Sequence, residues 1–196
     1  MYTQTNDRLW RKNRQPRSSS SCVGTDSNRN WPFNWHLPGG ASTNPCSETY
    51  RGAEAGDTPE ISSIIPLARK LGASNGVKLF IDFHSYGQYI LLPYGYDCAA
   101  VAGNHDDQME VAAGTAERIR QAGGSRYTYG PSCATLYATT GSSPDYFSGT
   151  IGAEYSWTIE LRPSSSSGGG FVLPPAQILP TVKETWEGVK YALTVI

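Results

Sequence analysis

Between Thr58 and Phe83 the apolar residues change rhythm, and that change limits the fold more than any other feature of the chain. In TPEISSIIPLARKLG, Thr58 is placed to cap a helix and Pro59 to open it. Ile61, Ile64, Ile65, Ala68 and Leu71 then recur at helical spacing until Gly72 stops the run, with a kink expected at Pro66. VKLFIDF, residues 77–83, is short, β-branched and aromatic, so it predicts a buried strand ending at His84.

The alternation continues down the chain. Residues 104–121 read as a helix capped by Asn104, with Asp106 and Asp107 in its first turn, an apolar face of Met109, Ala112, Ala113, Ala116 and Ile119, and Gly123 and Gly124 as its stop. YSWTIEL, residues 155–161, is a second strand. The tail spaces Ile178, Val182, Thr185, Trp186 and Val189 as the packed face of a long closing helix, and SSSSGGG, residues 164–170, reads as a mobile loop. Strands alternating with helices define an α/β protein with a mixed sheet flanked by helices. The 196 residues fit one domain, 1–196.

Charge and hydropathy exclude several functions. With 16 Lys plus Arg against 17 Asp plus Glu there is no global field to attract nucleic acid or an anionic membrane, and a small or neutral substrate fits better. No apolar run approaches the roughly 18 residues that would span a bilayer. Arg8, Arg11, Lys12, Arg14 and Arg17 crowd a polar opening segment ahead of SSSSC, which is neither a secretory leader nor an ordinary domain start.

Cys22, Cys46, Cys98 and Cys133 lack the close pairs of a zinc ribbon, so two disulfides and an oxidising setting are expected. Three pairings are open. Cys22 with Cys46 and Cys98 with Cys133 is favoured because each closes a loop-rich segment.

Two residues stand out chemically. His84 falls at the C-terminal edge of a strand, where open α/β sheets bind ligands. Glu160 lies in an apolar strand, where a carboxylate is costly unless paired or functional. His36 and His105 have no partner that suggests chemistry.

Taken together, RLWRK (8–12), DSNRNW (26–31), PCSETYRG (45–52), HSYGQYILLPYGY (84–96), TLYATTGSSPDY (135–146), TIELR (158–162) and LPPAQILPTVKETWEGV resemble zinc metallocarboxypeptidases of the carboxypeptidase A/B type. Order and spacing match over almost the whole chain. The resemblance implies a secreted, monomeric zinc exopeptidase that acts on peptide and protein C-termini, with no nucleic-acid or membrane partner. It also implies the bridge between Cys22 and Cys46.

By the same resemblance His84 is a zinc ligand, Glu160 the general base and Arg11 the group that steadies the oxyanion. Asn28 and Arg29 grip the substrate's terminal carboxylate, Tyr137 closes over it, and Tyr86 and Arg8 form the adjoining subsite. These residue types suit those roles, since neutral imidazole binds zinc, a carboxylate accepts a proton from water, and a guanidinium forks onto a carboxylate.

One departure is large. Family members take two more zinc ligands, a His and a Glu three residues later, from a segment ahead of RLWRK. Here His36 is followed three on by Gly39, His84 by Gly87 and His105 by Gln108. One imidazole holds zinc weakly or not at all, and the chain is expected to be N-terminally incomplete, the last two-thirds of a catalytic domain. The other reading is a metal-free pseudo-enzyme that binds peptide C-termini through Asn28, Arg29 and Tyr137.

Specificity turns on Pro144, which the resemblance places at the pocket floor and which implies apolar or aromatic C-terminal residues. Asp145, if the register slips by one, would instead admit Lys and Arg, and Asp82, if it points into the pocket, would admit basic residues as well and give dual specificity.

Overall fold

The computed structural model describes residues 2–17 and 20–196. Met1 and two serines of the SSSSC run, Ser18 and Ser19, lie outside them. Helix α1 (Pro59–Ser74) has Thr58 as its N-cap, its hydroxyl accepting from the Ile61 amide. It runs two residues past Gly72 and continues through Pro66. Burial of Ile61 and Ala68 fastens it to the body.

Strand β1 (Leu79–Gly87) starts later than expected and does not stop at His84. Strand β2 (Tyr89–Leu92) follows at once, and β3 (Thr128–Pro131) comes after helix α2 (His105–Gly123). Neither β2 nor β3 was anticipated; both are four residues long, too short for a period to show. Strand β4 (Tyr155–Ser164) and helix α3 (Ile178–Val195) complete the chain.

The sheet order is β1-β4-β2-β3, with β1 parallel to β4, β4 antiparallel to β2, and β2 parallel to β3. This is the mixed sheet the sequence predicts. Strand side chains alternate between faces, so Tyr155, Trp157 and Ile159 of β4 face one way and join Ile90, Leu92, Val111, Ala112, Ile119 and Ala192 in a core under α2 and α3. Ser156, Thr158 and Glu160 face the other way. On that side a second cluster gathers Trp31, Ile61, Ala68, Tyr146 and Phe147, with Phe80 of β1 stacked on Phe147 at 3.7 Å.

Two expectations about packing fail. β1 is an edge strand, not a buried one, and Phe83 is 50% exposed. Helix α3 buries Thr181, Glu184, Thr185, Gly188 and Ala192, whereas Ile178, Val182 and Trp186 face outward. Its buried face is rotated toward small and polar residues because Glu184 must reach Arg162 of β4, and Gly188 lets α3 approach Ile119 of α2. Val182, Trp186 and Val189 instead line an apolar groove of ≈ 290 Å³ with Phe83 and Leu161.

Two disulfides form, Cys22–Cys46 and Cys98–Cys133, as the loop-closure argument favours. No helix among the described residues is long and apolar enough to cross a membrane.

Candidate active site

Parallel pairing of β1 with β4 decides where the chemistry gathers. His84 and Glu160 are register partners on neighbouring strands, so their side chains emerge side by side on the face turned away from α2 and α3. His84 Nδ1 lies 4.0 Å from Glu160 Oε1. Burial raises the Glu160 carboxyl above the usual range against the lowering pull of His84 and Arg11, and its Oε2 is buried with no hydrogen-bond partner.

Arg11, Asn28 and Arg29 line the same cavity as this pair. Asp26 is 3% exposed and ties these residues together: Oδ1 accepts the Asn28 amide, opening a single turn of 3-10 helix (Ser27–Arg29), while Oδ2 accepts Arg11 Nε at 2.9 Å. Arg11 Nη2 adds a second contact to the same oxygen at 2.8 Å. Burial works against the Arg11 guanidinium, but Asp26 prevails and its pKa is raised. Sequence reasoning missed Asp26; the signal was available, since DSN is an N-cap pattern and an acid beside two site residues invites a cationic partner.

Arg29 is 5% exposed and donates Nε to the Gly40 carbonyl and Nη1 to the Asn28 carbonyl. Burial lowers its pKa, and the Tyr137 side chain is within its hydrogen-bonding reach. Gly141 makes room for this arginine. Its φ of 65° lies in the left-handed region, and a Cβ there would stand 2.5 Å from the Arg29 carbonyl oxygen. Tyr137 is 55% exposed and forms an outer wall.

These groups share one narrow cavity of ≈ 50 Å³, lined by Arg11, Asn28, Arg29, His84, Tyr137 and Glu160 at its polar end. Leu91, Leu136, Pro144, Ser132, Thr139, Ser142 and Thr158 line the rest. Pro144 is thus in the cavity, whereas Asp145 and Asp82 are not among its walls. Asp145 is turned inward, accepting the amides of Gly95 at 2.9 Å and Tyr96 at 3.1 Å. Asp82 accepts the Ser143 hydroxyl and lies 2.9 Å from His84 Nε2.

Arg8 and Phe171 line an adjoining groove that shares Arg11 with the cavity, and Tyr86 borders Phe171. Arg8 donates to the Phe171 carbonyl at 3.0 Å, and Tyr86 meets the Phe171 ring edge-on at 4.8 Å. Phe171 went unread because it follows the low-complexity serine-glycine run.

Residues 1–188 match the family described as Peptidase_M14, zinc carboxypeptidase. The chain belongs to that family of peptidases. A metallocarboxypeptidase A-like protein of Trichophyton verrucosum is 44% identical over 97% of this chain, and a protein named carboxypeptidase A2 from Mus musculus is 42% identical over 97%. The chain spans 44% of the length of each. Among solved structures, bovine thrombin-activatable fibrinolysis inhibitor in complex with tick carboxypeptidase inhibitor superposes with a TM-score of 0.91 at 34% identity, covering 98% of this chain and 64% of that one. Carboxypeptidase A from Helicoverpa armigera gives 0.88 at 32% identity, covering 98% and 47%.

The family implies zinc. Among the described residues no group of three or more His, Cys, Asp and Glu side chains could hold a metal ion. One imidazole beside one carboxylate is fewer than the three protein ligands a catalytic zinc generally takes, so these residues alone do not fit the ion.

Proposed function

We propose that the protein removes residues from the C-terminal end of peptides and that this chain supplies the part of its active site that recognises the terminal carboxylate. The convergence of Arg29, Asn28, Arg11, Tyr137, His84 and Glu160 on one small cavity carries this reading. A buried guanidinium beside a half-exposed phenol offers a terminal carboxylate the charge-assisted fork it accepts best. With the carboxylate on Arg29 and Asn28, the last side chain enters toward Leu91, Leu136 and Pro144. The preceding carbonyl then falls beside Arg11, and Glu160, whose proton affinity burial raises, takes a proton from a water whose oxygen bonds to that carbonyl carbon, then returns it to the amine nitrogen as the C–N bond breaks.

Preference for apolar C-terminal residues follows from walls that carry no carboxylate at the Pro144 end, since burying an unpaired cation costs several kcal/mol. The two disulfides support an extracellular setting. The test offers the protein peptides ending in Phe, Leu and Arg and measures released amino acids. Release of single C-terminal residues with Phe or Leu ahead of Arg supports the reading; internal cleavage contradicts it, and a clear preference for Arg overturns the apolar pocket.

The ligand count favours a second reading, a carboxylate-binding module without turnover. It predicts binding of the same peptides with no amino acid released.

A further inference from the structure

Asp82 and His84 stand two residues apart on β1, so both project from the same face of the strand. Their contact is close: His84 Nε2 lies 2.9 Å from Asp82 Oδ2, and the Ser143 hydroxyl donates to that same oxygen. Asp82 is thereby turned from the pocket toward the ring.

A second group competes for Nε2. The Ser143 amide donates to Asn28 Oδ1 at 2.8 Å, which fixes the Asn28 amide so that Nδ2 faces His84 Nε2 at 3.2 Å. The two partners make opposite demands on a neutral ring. Asp82 needs a proton on Nε2, whereas Asn28 as a donor needs a lone pair there. The shorter contact and the ionic acceptor favour Asp82, because hydrogen bonds to charged groups are about twice as strong as neutral ones.

We propose that Asp82 is a positioning residue that holds the His84 proton on Nε2 and so presents the Nδ1 lone pair toward Glu160, with Ser143 holding the carboxylate in place. Asp82 then acts through His84 and not on the substrate side chain. The inference rests on the reading of His84 as a site residue, but its test needs no turnover. It assigns the acidic residue a task that residue type and spacing alone leave open, since a strand Asp beside a pocket serves specificity equally well on paper.

Imidazole ¹⁵N spectra decide the matter, and only three histidines have to be assigned. In the wild-type protein, above the ring's own titration, His84 Nε2 is expected to be pyrrole-type and Nδ1 pyridine-type. Asp82→Ala removes the acceptor and leaves Asn28 as donor, so the two signal types exchange. Asp82→Asn keeps an amide oxygen as acceptor and should retain the wild-type pattern, and it serves where the alanine variant fails to fold. A wild-type ring with its proton on Nδ1, an unchanged tautomer in Asp82→Ala, or an inverted one in Asp82→Asn overturns the proposal. Failure of the peptidase reading is recorded separately, as absence of any distinction between peptides ending in a free acid and in an amide.

Discussion

Glu160 follows five consecutive buried residues, Tyr155 to Ile159, and it is the point on β4 where an apolar strand turns into a polar site. Glu160→Gln keeps shape and most hydrogen bonding but removes the proton acceptor. It should leave peptide affinity within a few-fold of wild type and lower turnover by roughly 10² to 10⁴, the usual worth of a positioned general base; an undiminished rate would remove Glu160 from the chemistry. Asp145 tests a different property. Burial raises its carboxyl to about 7 against the opposing amides of Gly95 and Tyr96, so the native state keeps a proton that the unfolded chain releases near pH 4. With more protons bound in the native state, stability falls as pH rises from about 4 to about 7, by up to roughly 4 kcal/mol. Asp145→Asn should flatten that slope in urea titrations run at several pH values, and a wild-type slope in the variant would contradict the assignment.

At the scale of elements, the long helices and the two long strands were legible because each repeats its period several times: α1 from Thr58 to beyond Leu71, α2 up to the left-handed Gly124, and β4 through its aromatic alternation. What stayed hidden depends on tertiary context. β2 and β3 are four residues each, and the outward turn of α3 follows from one ion pair that links residues 22 apart in sequence. Of the site, Glu160 could be read from chemistry alone and His84 from its place at a strand, while Arg11, Asn28, Arg29 and Tyr137 required the family resemblance. Asp26 and Phe171 went unread. The ion pair carries its own prediction. Glu184 is fully buried and held by Arg162, which also reaches Gln177 at 2.8 Å. Arg162→Ala strands that carboxylate and should cost about 3–5 kcal/mol, seen as a lower urea midpoint at constant m-value; an unchanged midpoint would mean that the pair does not hold α3.

The whole molecule brings two arginines, Asn28, Tyr137, a buried carboxyl at Glu160 and one imidazole to a single cavity, on a chain that spans 44% of the length of its curated relatives. Counting ligands predicts that residues 1–196 retain well under one equivalent of zinc after dialysis, measured by elemental analysis. Full retention would mean that the ligand count is wrong. Recognition of a C-terminal carboxylate is the central claim, and it stands apart from metal content. The most direct test titrates the protein with an N-blocked dipeptide ending in Phe as the free acid and as the amide, for wild type and Arg29→Ala. The free acid should bind wild type at least about tenfold more tightly than the amide, since one hydrogen bond to a charged group contributes about 1.5–3 kcal/mol, and Arg29→Ala should erase the difference. Equal affinity of wild type for acid and amide, or a preference for the acid that survives in Arg29→Ala, would contradict the account.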